Sequence, residues 1–194
     1  MQTIQVKDKS FSLFISEKEI LKEVKRIARQ INKDYAGKEP VFLAVLNGSF
    51  IFAADLMREV KLPCEISFVK LASYQGVDTT GKIHEVIGLN VDLTDRPVII
   101  VEDIVDTGHT MEYLLGELKK QHPASIDICA FLLKPGKLQV DLDIRYYCLE
   151  IPNDFIVGYG LDYDGYGRNT RDVYTLVERP LLTSPCREGL KSKV

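Results

Sequence analysis

VEDIVDTGHTM, residues 101–111, holds the reading that decides the fold. The run leading into it, Pro97-Val98-Ile99-Ile100-Val101, is of strand length and apolar without interruption. A strand that is apolar at consecutive positions is covered on both faces, as in a parallel sheet between helices. The run ends in two acids, Glu102 and Asp103; a third, Asp106, follows, and Thr107-Gly108-His109-Thr110 then leads into a helical pattern over 110–121. In an open parallel sheet, ligands bind in the crevice beyond the carboxyl ends of the strands. The first turn of the following helix offers free backbone N–H groups and a dipole that favours an anion. Gly108 lets the backbone come close to a ligand, and Thr107 and Thr110 add hydroxyl donors. The stretch therefore suits a phosphate on its loop and a polyhydroxy or cation-bearing group on its acids. An isolated acid pair at a strand end is more often simply solvated, with Asp106 and Thr107 capping a helix. The order of strand, acids, Asp-Thr-Gly and helix is what favours a phosphate cradle.

The flanking segments repeat the alternation of strand and helix. Ser16 and Glu19 have capping-box spacing, and Ile20, Leu21, Val24, Ile27, Ala28 and Ile31 recur at helical intervals, with Gly37 as a stop. Residues 40–46 read as a buried strand ended by Asn47-Gly48, and 49–60 as a helix with Phe50, Ala53, Ala54 and Met57 on one face. Residues 64–72 alternate like a strand, 73–85 are polar and read as a loop or mobile ribbon, and 126–133 are strand again. Beyond Asp141 the pattern is strand-rich and irregular. These features predict an α/β fold: a mostly parallel central sheet with helices on both faces, plus a small hood. The expected organisation is a single domain over 1–194. Its core takes about 38–135 and 155–178, and its hood the N-terminal segment and about 138–157.

Composition excludes several classes. With 194 residues, a net charge of −3 and no long basic run, the chain lacks the electrostatic footprint of non-specific nucleic-acid binding. No apolar stretch approaches the roughly 20 residues of a membrane helix. The opening MQTIQVKDKSF has no apolar core of a signal peptide, so a cytoplasmic protein is expected. Of the cysteines, Cys64, Cys129, Cys148 and Cys186, three sit in strand-like runs and read as reduced core thiols. His84, His109 and His122 form no metal-ligand spacing.

VEDIVDTGHT closely resembles the phosphoribosyl-pyrophosphate signature of the type I phosphoribosyltransferases. Four further segments narrow the likeness: LNGSFIFAADL (46–56), SYQG (73–76), the lysine of FLLKPGK (131–137) and DFIVGYGLDYDGYGR (154–168). In this order they resemble the hypoxanthine-guanine phosphoribosyltransferases, over about 41–177. The resemblance implies purine salvage. A 5-phosphoribosyl group passes from phosphoribosyl pyrophosphate to N9 of hypoxanthine or guanine, giving IMP or GMP and pyrophosphate, with Mg2+ as cofactor. It implies a homodimer or homotetramer, and neither a nucleic-acid nor a membrane partner.

Residue by residue, the resemblance implies the following. Asp106 is the general base for the purine N7 proton, and its charge suits a cationic ribose. Glu102 and Asp103 meet the ribose hydroxyls, directly or through metal. Ile104, Thr107, Gly108, His109 and Thr110 complete the phosphate loop. Leu46, Asn47 and Gly48 hold pyrophosphate by backbone N–H groups, and Arg168 clamps it. Lys134 donates to the purine 6-oxo group, Phe155 stacks on the ring and Ile156 reads the 2-position through backbone. Asp162 belongs to the base-reading set and is also a second magnesium-facing acid, so the metal set is Glu102, Asp103 and Asp162. Ser73, Tyr74, Gln75 and Gly76 match a lid that excludes water.

Taken singly, Lys134 reads as an ordinary exposed lysine, Phe155 equally well as a core residue, and Asp162 and Arg168 as surface residues. Asn47 and His109 stand where many or some members carry lysine, which removes positive charge near the anion site but leaves the backbone cradle. The family often has a cis peptide at 46–47, a feature invisible in sequence. Two alternatives stay open at this level: a phosphoribosyl-pyrophosphate-sensing regulator that binds nucleic acid, and a transferase for xanthine or pyrimidines.

Overall fold

The computed structural model describes residues 2–73, 83–87 and 89–177. Along the chain run β1 (Thr3–Val6), β2 (Lys9–Ile15), α1 (Glu17–Asp34), β3 (Val41–Leu46), α2 (Phe50–Glu59) and β4 (Glu65–Ser73). They are followed by β5 (Ile83–Ile87), β6 (Pro97–Val105), α3 (His109–Lys119), β7 (Ser125–Leu133), β8 (Tyr146–Glu150), β9 (Ile156–Val157) and β10 (Val173–Leu176). The large sheet has the order β5-β4-β3-β6-β7-β8. Its strands β4, β3, β6, β7 and β8 are parallel, and β5 is an antiparallel edge on β4.

The pleat explains why the central runs are apolar throughout. Val41, Leu43 and Val45 of β3, with Val98 and Ile100 of β6, pack with Met111, Leu114 and Leu118 of α3. Phe42, Ala44, Ile99 and Val101 point the other way, into a cluster with Ile20, Val24, Ile27 and Ile31 of α1 and Phe52 and Leu56 of α2. The central sheet is thus sandwiched between helices, as expected. Helix α1 starts as its sequence requires: Glu19 N donates to Ser16 Oγ (3.4 Å) and Ser16 N to Glu19 Oε2 (3.0 Å). Among the described residues no helix is long and apolar enough to cross a membrane. Cys129 and Cys148 are buried free thiols and Cys64 is a half-buried one; Cys186 lies outside the described residues.

Four expectations change. Residues 83–85, expected at the end of a loop or mobile ribbon, belong to β5 and pair with β4. Strand β6 runs on to Val105, so Glu102 and Asp103 belong to its last turns of pleat rather than to the loop beyond. Helix α2 buries Phe52, Ala53 and Leu56 and leaves Phe50 43% exposed. Two stripes of helical spacing share Ala53, and packing chooses the one whose Phe52 ring lies 5.6 Å from Phe131. The hood also draws on other segments. A second sheet, β1-β2-β10-β9, joins the N-terminal hairpin to Ile156–Val157 and Val173–Leu176. Strand β8, inside the expected hood span 138–157, instead extends the parallel sheet, because Tyr146 and Cys148 join the large core.

Candidate active site

The carboxyl ends of β3, β6 and β7 lie side by side, because these strands are parallel and adjacent. The segments just beyond them, around 46–48, 106–108 and 134–137, therefore share one edge of the sheet.

Beyond β3 the Leu46–Asn47 peptide is cis. Gly48 is buried against the end of β6: a Cβ there would stand 1.5 Å from Asp103 Oδ2. It is also close to the 158–168 segment, since a Cβ on Gly160 would meet the Gly48 carbonyl at 2.0 Å. Only glycine allows this three-way approach. Gly48→Ala is expected to cost about 1–3 kcal/mol of stability, the scale of overpacking. A denaturant melt checks this, and a variant as stable as the wild type would contradict the packing described.

Glu102 is buried, and its Oε2 has no hydrogen-bond partner among the described residues. Burial first, and the neighbouring Asp103 carboxyl second, push its acid well above the usual glutamate range. A buried acid without a partner among the described residues, at a strand end, is a candidate ligand position. The shift also has a consequence for stability. The group favours the neutral form when folded, so its contribution is complete below the ordinary glutamate range and is lost as pH rises through the raised value. Glutamine has no charge to bury. The stability advantage of Glu102→Gln over the wild type should therefore grow as pH rises above the ordinary glutamate range in metal-free thermal melts. Parallel pH curves would contradict it.

Asp103 Oδ1 accepts from its neighbour Ile104 N (3.0 Å). Asp106 Oδ1 is buried with no hydrogen-bond partner among the described residues. Its other oxygen, Oδ2, lies 3.1 Å from Lys137 Nζ and 3.8 Å from Lys134 Nζ. Glu102, Asp106, Thr107, Gly108 and Thr110 line a cavity of about 110 Å³ at the mouth of α3.

Gly108 has φ 87°, and a Cβ on it would meet Val140 and Leu142 side chains at 2.6 and 2.8 Å. The glycine is thus required by a left-handed turn packed under the 138–142 segment, besides any close approach to a ligand. Thr107 and Gly108 sit in the turn before α3, one step earlier than the expected first helical turn. His109 is exposed; its Nε2 pairs with Gln139 Oε1 (3.1 Å) and its Nδ1 lies 3.7 Å from Glu112.

Lys134, at the end of β7, is buried rather than exposed and donates to the Asp154 carbonyl (2.9 Å). Burial holds its ammonium below the usual lysine range; Asp106 opposes the effect and Lys137 adds to it. Through Asp154 it is tied to the next residue, Phe155, whose ring is 45% exposed. That ring is backed by Phe11 at 6.1 Å and, edge-on, by Tyr163 at 5.8 Å. It is a supported flat face, neither a core ring nor a loose one. Ile156 is buried in β9, paired with Thr175 of β10.

Asp162 and Arg168 are brought together but face each other, Arg168 Nη2 to Asp162 Oδ1 at 2.7 Å. Arg168 Nη1 also donates to Gly160 O (2.6 Å), and Asp162 Oδ2 accepts from Gly165 N (2.6 Å). Ser73 ends β4; Tyr74, Gln75 and Gly76 of the expected lid lie outside the described residues.

The residue missed by sequence reasoning is Lys137. Nothing in its Pro-Gly-Lys context marks it; only the 3-10 turn Pro135–Lys137 brings it back to Asp106.

The acid-ended strand, the cradle before α3 and the buried lysine coincide with a family match. The model of the phosphoribosyl transferase domain matches residues 15–164. The chain belongs to the phosphoribosyltransferase family. Among its relatives, the hypoxanthine-guanine phosphoribosyltransferase of Streptococcus mutans is 40% identical over 164 residues, covering 84% of this chain and 91% of that protein. That of Aquifex aeolicus is 36% identical over 172 residues, covering 88% and 97%. A crystal structure of a hypoxanthine-guanine phosphoribosyltransferase from Bacillus anthracis superposes with a TM-score of 0.81 at 38% identity, covering 86% of this chain and 97% of that one. The chain is thus a phosphoribosyltransferase enzyme of the hypoxanthine-guanine group, and the transferase reading is favoured over the sensor.

Proposed function

We propose that this phosphoribosyltransferase serves purine salvage by moving the 5-phosphoribosyl group of phosphoribosyl pyrophosphate to N9 of hypoxanthine or guanine. The observation that carries the reading is the grouping of a buried ammonium, Lys134, with the supported Phe155 face and the Asp106 carboxylate at one sheet edge. A purine stacked on Phe155 can present its 6-oxo group to Lys134 and its N7–H to Asp106. As N9 bonds to C1 of the ribose, the C1–oxygen bond breaks and pyrophosphate leaves with the electron pair. Asp106 takes the N7 proton and, while still anionic, faces the positive charge that builds on the ribose. Thr107, Gly108 and Thr110 suit the 5-phosphate, and the backbone of 46–48 with Arg168 suits pyrophosphate, for which Arg168 exchanges its bond to Asp162.

The acids at the end of β6 fit a magnesium ion. Glu102 Oε2 is a hard oxygen without a hydrogen-bond partner among the described residues, and Asp103 is held beside the 46–48 backbone. Among the described residues no three side chains form a cage; Mg2+ characteristically takes one or two carboxylates plus substrate oxygens. Glu102 and Asp103, with Asp162 once released from Arg168, would hold it. Bound there, it supplies neutralisation of the pyrophosphate leaving group. Buried free Cys129 and Cys148 fit a reducing compartment, the cytoplasm. The reading includes a homodimer or homotetramer, tested by mass in solution.

Competition of hypoxanthine, guanine and xanthine for limiting phosphoribosyl pyrophosphate tests the substrate class. Hypoxanthine or guanine nucleotide is the expected main product; xanthine nucleotide in excess would replace the reading with a xanthine-preferring one.

A further inference from the structure

Two ammonium groups converge on one oxygen of Asp106, and they do so unequally. Lys137 Nζ hydrogen-bonds Oδ2 at 3.1 Å, whereas Lys134 Nζ stays 3.8 Å away and gives its bond to the Asp154 carbonyl instead. The other oxygen, Oδ1, has no partner among the described residues. The turn that brings Lys137 there is fastened to the acid loop by backbone: Lys134 N donates to Val105 O, Lys137 N to Lys134 O and Gln139 N to Thr107 O, each at 3.0 Å.

We infer that Lys137 is a positioning residue of this active site: by occupying Oδ2 of Asp106 it leaves Oδ1 open for the purine proton and keeps Lys134 free to face the base. The inference rests on the proposed function. Its physical basis is competition for one carboxylate. Lys134 is the more buried lysine, its side chain 8% exposed against 36% for Lys137. Attraction between opposite charges strengthens as water is excluded. Without Lys137, the ammonium left beside Oδ2 among the described residues is that of Lys134, 3.8 Å away. A tight Lys134–Asp106 pair would withdraw the donor meant for the 6-oxo group and turn the carboxylate with it. Lys137 itself transfers no proton; the N7 proton goes to Oδ1 and then to solvent. Being part-exposed, its ion pair adds little to stability, so its effect belongs to the reaction rather than to the fold.

The decisive comparison is steady-state kinetics of the wild type, Lys137→Met, Lys137→Gln and Lys137→Arg, with hypoxanthine and phosphoribosyl pyrophosphate varied separately in Mg2+. The expected result for Met and Gln is a fall in kcat/KM for hypoxanthine of about tenfold, the scale of one charged hydrogen bond. KM for phosphoribosyl pyrophosphate should stay within about twofold, and Lys137→Arg should recover most of the loss, since guanidinium also holds a carboxylate oxygen. Wild-type kcat/KM in both Met and Gln would overturn the inference. So would a loss that appears chiefly as a raised KM for phosphoribosyl pyrophosphate, or an Arg variant as poor as Met. If Lys137→Met melts early, Lys137→Gln decides. An idle wild type would sink the proposed function itself, and the inference with it, which separates the two failures.

Discussion

Asp106→Asn is expected to lower kcat for hypoxanthine by about 100-fold or more, the scale of a lost general base. Asparagine keeps the size of the side chain and removes both its charge and its basicity. Affinity for phosphoribosyl pyrophosphate should change less, because the proposed phosphate loop, 107–110, would bind through backbone and hydroxyl groups. Asp106 Oδ1 is buried without a hydrogen-bond partner among the described residues, so the substitution would remove the proposed proton acceptor itself. The amide also weakens the hold of Lys137 on the other oxygen, so the two effects add in the same direction. Steady-state kinetics and an independent binding titration separate kcat from affinity. Near-normal kcat in Asp106→Asn would refute the base assignment.

Adenine is expected to be turned over far less than hypoxanthine, by about 10⁴-fold in kcat/KM. Its 6-amino group is a donor, and it would meet the Lys134 ammonium, also a donor. Lys134 is buried and already gives one bond to Asp154 O. A site built to bond a substrate oxygen leaves its own polar group unpaired when that oxygen is missing. Lys134→Met narrows the preference, mainly by damaging the 6-oxopurine reaction, while binding of phosphoribosyl pyrophosphate stays nearly intact. Comparable wild-type kcat/KM for the two bases would show that Lys134 does not read the 6-position.

The parallel sheet was legible because its signal is local. Runs such as 41–46 and 97–101 are apolar on both sides, and only a doubly covered strand needs that. The α1 start was legible for the same reason, since the Ser16–Glu19 box is complete within one turn. The hood was not. Its strands β2, β9 and β10 come from three distant parts of the chain, and the two residues of β9 hold no pattern of their own. The α2 face was misread because two helical stripes overlap at Ala53, and only the position of Phe131 chooses between them.

Within the site, residue types and order were readable, but partners were not. Sequence named Asp162 and Arg168 as ligand-facing groups without revealing that they bond each other. It read Lys134 alone as exposed, because burial there depends on the 154–155 segment folding over it. Lys137 was passed over for a similar reason. Its approach to Asp106 depends on a three-residue turn whose direction is set by hydrogen bonds to Val105 and Thr107.

The central claim is that the groups gathered beyond β3, β6 and β7 transfer phosphoribosyl to a 6-oxopurine. Its most direct test is to incubate the purified protein with phosphoribosyl pyrophosphate, Mg2+ and hypoxanthine, and to quantify nucleotide and pyrophosphate together. The account predicts IMP and pyrophosphate in equal amounts, formed catalytically and abolished by omitting the base. Phosphoribosyl pyrophosphate that binds but yields no nucleotide with hypoxanthine or guanine would contradict it.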